Sequence, residues 1–195
     1  MKTRAAYWLF IILLPACSTI SPEPHYYTLG TPTSTLVSST SNANYRISVG
    51  PIVIPEIVNR PQIVLEKDPN QVTVAEQHRW AQPLQKEISR ALTNSLSQQL
   101  NGAWVTDSRQ ISNGNIDYQI LVDVQRFESR PGEAAIIEAL WKVRRTAGED
   151  TKIGKSVVRE ATNGNSYDTL VAAHERAIVS MSREIAAVIR ASWGK

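Results

Sequence analysis

Apolar and polar residues alternate with a period of two through Ile116–Gln125. Ile116, Tyr118, Ile120, Val122 and Val124 take one side, and Asp117, Gln119, Asp123 and Gln125 the other, with only Leu121 breaking the polar face. That pattern predicts a half-buried strand. Ala135, Ile137, Ala139, Trp141 and Val143 repeat it, and Ile153–Glu160 repeats it again after a turn at Ala147–Asp150. With the brief run Trp104–Thr106 these segments predict four strands in an antiparallel meander, one face polar and one buried. Upstream, Tyr26–Leu29 is a short β-prone run. Tyr45–Ile54 is a longer one whose Pro51 and Pro55 favour an edge or a strand end. Ile63–Glu66 and Val72–Ala75 flank Asp68-Pro69-Asn70, the composition of a β-hairpin.

Two segments switch to helical spacing. Leu84, Ile88, Ala91, Leu92, Leu96 and Leu100 form one stripe, with Pro83 at its start and Asn101-Gly102 as its stop. Tyr167, Leu170, Val171, His174, Ile178, Met181, Ile185, Val188 and Ile189 form a longer one, capped by Asn165 or Ser166. The expected fold class is α+β: an antiparallel β-sheet with two amphipathic helices packed on one face.

The N-terminus follows a different logic. Lys2 and Arg4 precede an apolar run, Ala5–Leu14, that ends in Pro15-Ala16-Cys17. Ten residues make a helix of about 15 Å, too short for a hydrocarbon core of about 30 Å. Basic start, short apolar run and small residues are the parts of a secretory signal. Cys17, the chain's only cysteine, lies directly after that run, and Leu14-Pro15-Ala16-Cys17 resembles a bacterial lipobox. The expected organisation is a lipoprotein signal peptide over 1–16, a lipidated tether over 17–25, and a single domain over 26–195 with a flexible loop at 30–44. Cys17 would carry N-acyl and S-diacylglycerol chains, and two or more chains hold a protein stably on a membrane. Ser18 is not the Asp that retains such lipoproteins in the inner membrane, so the expected location is the periplasmic face of the outer membrane.

Charge and composition then exclude classes. The formal net charge is +3, but 21 basic residues less Lys2 and Arg4 leave 19 against 18 acidic ones. A near-neutral chain with interspersed signs is not a nucleic-acid binder. One cysteine and three scattered histidines leave no metal cluster or intrachain disulfide, and no nucleophile elbow, phosphate loop or His-Glu-x-x-His motif occurs. No enzyme and no cofactor beyond the lipid are expected. His174 falls on an apolar stripe as a core histidine, His78 has no carboxylate motif around it, and Glu76 reads as a loop acid. Arg144, Arg145, Lys152, Lys155 and Arg159 cluster about one hairpin and read first as a solvated face. Trp80, beside Arg79 and Pro83, reads as a loop residue suited to a surface anchor.

Val49-Gly50-Pro51 with Ile54-Pro55, then Arg60-Pro61-Gln62-Ile63-Val64, then Arg79-Trp80-Ala81-Gln82-Pro83-Leu84, resemble the ABC-type transport auxiliary lipoproteins. The nearest branch is that of the paraquat-inducible (Pqi) transport system. Tyr26-Tyr27-Thr28-Leu29 and Ile120–Phe127 fit the same pattern, and Gln82 departs from it, standing where an acid is commoner. The resemblance implies a lipoprotein at the outer-membrane end of an intermembrane lipid transport system. It would dock a periplasmic MCE-domain (mammalian cell entry) protein and support membrane integrity, and the resemblance leaves a homo-oligomer open. Two alternatives remain: a structural lipoprotein of another outer-membrane machine (lipopolysaccharide or β-barrel assembly), and a lipid carrier with its own cavity. The expected partner-binding residues are Arg60, Pro61 and Gln62 with Arg79 and Trp80, because strands flanking Asp68-Pro69-Asn70 would bring both segments to one end of the sheet.

Overall fold

Eight strands and two α-helices form in the computed structural model, which describes residues 22–30, 45–108, 116–148 and 150–192. In chain order they are β1 (His25–Tyr27), β2 (Tyr45–Val53), β3 (Gln62–Asp68), β4 (Gln71–Trp80), α1 (Leu84–Gln99), β5 (Ala103–Asp107), β6 (Tyr118–Arg130), β7 (Ala134–Arg145), β8 (Thr151–Ala161) and α2 (Tyr167–Ser192). A 3-10 turn, Glu56–Val58, follows β2. Cys17, the expected signal peptide, the start of the expected tether and most of the loop expected at 30–44 lie outside the described residues.

The class is α+β, but the sheets are mixed rather than antiparallel, and there are two of them. A five-stranded sheet runs β5-β2-β6-β7-β8 and a three-stranded one runs β1-β4-β3. Loop length decides the direction of each pairing. Short connections after Arg130 and after Arg145 fold β6, β7 and β8 back on one another as an antiparallel meander. Between β2 and β5 lie the β3–β4 hairpin and α1, a crossover long enough to bring the chain back in the same direction, so β5 pairs parallel to β2. Trp104 therefore belongs to an edge strand beside β2 and not to the meander. β2 is also central, with β6 parallel on its other side. Its Pro51 is tolerated because the missing donor falls where the register shifts between Val49 and Ile52.

Both helices lie against the five-stranded sheet, α1 over β2 and β5, α2 over β7 and β8, and they touch each other. The stripes read from the sequence are the buried faces: Leu84, Ile88, Ala91, Leu92 and Leu96 on α1, and Leu170, Val171, His174, Ile178, Met181, Ile185 and Ile189 on α2. Each large aliphatic so buried contributes about 1.5–3 kcal/mol. Ser166 is the cap of α2, its Oγ accepting the Thr169 N–H at 3.3 Å.

The meander is fastened to α2 at one crowded point. Trp141 donates from Nε1 to Ser156 Oγ at 2.9 Å, and Ser156 donates in turn to Glu184 on α2. Gly154 faces Trp141 across the ladder, and a Cβ there would stand 2.1 Å from the indole. Gly154→Val is therefore expected to cost about 1–3 kcal/mol by overpacking. Chemical denaturation followed by tryptophan fluorescence checks this, and an unchanged midpoint would contradict the packing described.

Candidate docking site at the end of the small sheet

The three-stranded sheet brings together the two segments singled out from the sequence. Gln62 pairs with Arg79 across the hairpin, and the Trp80 N–H donates to the Pro61 carbonyl at 2.7 Å. Between that pair and Ile63↔Ala75 the register shifts, and on the other edge of β4 His78, Arg79 and Trp80 pair with β1. The result is a cleft of about 350 Å³ between residues 59–61 and residues 80–84. Arg60, Pro61 and Trp80 line it. Gln62 and Arg79 do not; both are engaged by Glu76, Gln62 Nε2 donating to its Oε2 at 3.2 Å and Arg79 Nε to its carbonyl at 3.1 Å. Glu76 is thus a strand residue with partners and not a loop acid.

Trp80 is corrected in role. It ends β4, is 4% exposed, and meets Phe127 and His174 edge to face at 6.2 and 6.5 Å. An indole carrying that much apolar surface is drawn under the hairpin when β6 and α2 close over it, so it is a core residue whose rim forms the cleft floor. Arg60, by contrast, is exposed; its backbone N–H donates to the Val58 carbonyl at 2.9 Å, but its guanidinium makes no hydrogen bond or ion pair among the described residues.

Under Trp80 sits His174, fully buried on α2. Its ring stacks face to face on Phe127 at 4.1 Å, and Nε2 bonds Ser129 Oγ at 2.8 Å while Nδ1 has no partner. Burial alone pushes its pKa down to about 3, so the ring is neutral. It is the core histidine its position predicts.

Two features beside the cleft are not readable as sites from the sequence. The first is a clamp on the chain leaving β1. Glu87, completely buried on the first turn of α1, accepts the Leu29 N–H at 2.9 Å and an Arg90 N–H at 2.5 Å. Arg90 also donates to the carbonyls of Leu29 at 2.6 Å and Gly30 at 3.1 Å. The signal for it was present: Glu87 falls three residues after Leu84 and four before Ala91, on the apolar side of the helix. The second is a ring stack. His78 lies flat on Tyr167 at 3.5 Å and on His25 at 5.2 Å, and its Nδ1 meets the Tyr27 hydroxyl at 2.8 Å. Burial lowers the His78 pKa, the neighbouring His25 lowers it further, and Asp168 opposes both. His25, placed in the tether by its sequence position, is the first residue of β1 and pairs with His78.

The basic hairpin is largely neutralised. Lys155 meets Glu138 at 2.7 Å, Arg159 meets Glu133 at 2.8 Å, Lys152 meets Asp150 at 3.3 Å, and Arg144 bonds Gln119 at 2.6 Å. Among the described residues no helix is long and apolar enough to cross a membrane.

Mixed sheets carrying two helices, with a short N-terminal strand and a surface cleft, define a small α+β domain. The sequence profile of the ABC-type transport auxiliary lipoprotein component matches residues 27–186, and the chain belongs to that family. It is 27% identical over 141 residues to the intermembrane transport lipoprotein PqiC of Escherichia coli, covering 72% of this chain and 71% of that one. The PqiC of Shigella flexneri matches to the same extent. Two crystal structures share the fold. A protein of unassigned function superposes with a TM-score of 0.71 at 21% identity, over 86% of this chain and 99% of its own. Protein XCC0632 of Xanthomonas campestris superposes with a TM-score of 0.62 at 19% identity, over 84% and 90%.

Proposed function

We propose that this chain is the outer-membrane lipoprotein of a Pqi-type intermembrane lipid transport system. It is held to the periplasmic face by lipid on Cys17, and its domain docks a periplasmic MCE-domain protein and thereby supports membrane integrity. The observation that carries the reading is the family match over nearly the whole folded domain, in a chain whose one cysteine follows a short apolar leader. The geometry supports a docking role in place of a chemical one. The cleft is lined by apolar residues with Asn59, Gln82 and one cation, Arg60, and the buried His174 is neutral and faces a serine and aromatic rings.

The anchor is the part most simply tested. Cys17→Ser removes the acyl acceptor, and the protein is expected to leave the outer-membrane fraction. Unchanged fractionation of that variant would contradict the anchor.

A further inference from the structure

The cleft at the end of the small sheet is apolar inside and cationic outside. Trp80 and Leu84, 4% and 1% exposed, close its floor, and Pro61 and Pro83 stand on its two sides. Two proline walls hold their shape without side-chain entropy to lose, which favours a preformed pocket over one that must close on its occupant. A volume of about 350 Å³ admits one or two large side chains and not a folded domain.

Arg60 is the one charged residue that lines the cleft. The segments that form it, residues 56–62 and 79–86, also carry Arg79 and Lys86 against the single acid Glu56. The nearby Glu87 is buried and committed to Leu29 and Arg90, and Glu76 is engaged by Gln62. Neither Arg60 nor Lys86 has an ion pair among the described residues, and Arg79 has only a backbone carbonyl.

Resting on the docking reading above, we propose that this cleft receives a segment of the protein partner in which an apolar or aromatic side chain stands beside a carboxylate. The apolar group fills the space over Trp80 between Pro61 and Pro83, and the carboxylate meets the Arg60 guanidinium. An apolar anchor in a concave pocket with an arginine at its edge is the arrangement that concentrates binding energy at protein interfaces. Free cations at the rim select an acidic partner and reject a basic one.

The test places the photo-crosslinking residue benzoylphenylalanine at position 82, on the cleft rim, in the full-length membrane-bound chain. A second chain carries it at position 153, on the outer face of β8. Crosslinks from position 82 are expected to map to a partner stretch with an Asp or Glu within two residues of a large apolar side chain. Arg60→Glu is expected to cut their yield at least tenfold and Arg60→Lys to retain most of it. Crosslinks to a neutral or basic stretch, adducts of lipid in place of protein, or no effect of Arg60→Glu would overturn the proposal. Crosslinks to the partner from position 153 alone would also overturn it, yet leave docking itself standing. A wild-type chain that captures no partner removes both.

Discussion

Replacing Glu87 with Ala is expected to lower the unfolding free energy by about 2–4 kcal/mol. Removing one member of a buried ion pair typically costs about 3–5 kcal/mol, because the remaining charge is left without its partner. Arg90 retains 35% side-chain exposure and can turn to water, which moves the effect about 1 kcal/mol below that range. Two further losses follow the carboxylate: the Leu29 N–H loses its acceptor, and a void opens beside Leu29, itself fully buried. β1 has only three ladder residues, too few to hold the N-terminal segment alone. The clamp therefore decides whether β1 stays on the domain. Hydrogen exchange checks the local part of this claim, since the Ala81 amide, which donates to the Tyr27 carbonyl at 2.8 Å, should lose protection in the variant. A variant with unchanged denaturation midpoint and unchanged Ala81 protection would remove the clamp from the account.

Acid is expected to destabilise the domain through His174. Its folded pKa of about 3 lies below the unfolded value of 6.5, so the unfolded state binds the proton first. The stabilising contribution is complete above 6.5 and is lost as pH falls from there towards 3. Between pH 7.5 and 5 that amounts to about 2 kcal/mol, at roughly 1.4 kcal/mol for each pH unit below the unfolded pKa. His78, also lowered, acts in the same direction at the ring stack with His25 and Tyr167. His174→Phe leaves Ser129 Oγ without its partner at every pH, a constant cost of about 1 kcal/mol, but it removes the pH-dependent part. Denaturation at pH 7.5 and pH 5 should therefore show a loss about 2 kcal/mol smaller in the variant. Equal losses in both proteins would contradict a buried neutral histidine.

Periodicity made most of the fold legible. Elements with a clean repeat, such as Ile116–Gln125 and the two helical stripes, lie where the alternation put them, because one face of each is buried in the core. What the pattern could not give is which strands pair. The prolines of Tyr45–Ile54 read as marks of an edge or a strand end; Pro55 does follow the end of β2, yet β2 is central, since Pro51 coincides with a register shift that only the partner strand reveals. Trp104 looked like part of the meander because its neighbours in sequence were, whereas the crossover through α1 fixes its direction. At the site, Arg60, Pro61 and Trp80 were legible as a group because a hairpin must bring its ends together. The burial of Trp80 was not, because it depends on Phe127 and His174, each more than 40 residues away in sequence. Glu87 escaped notice because a lone acid on an apolar stripe acquires meaning only when Arg90 and the Leu29 amide reach it.

The central claim is a lipid-held adaptor that grips a periplasmic partner, and affinity capture of the full-length chain from detergent-solubilised envelopes tests it most directly. The account predicts that the captured chain begins at a triacylated Cys17 by intact mass and brings an MCE-domain protein with it. A chain with a free thiol or a retained leader, recovered without that protein, would contradict it.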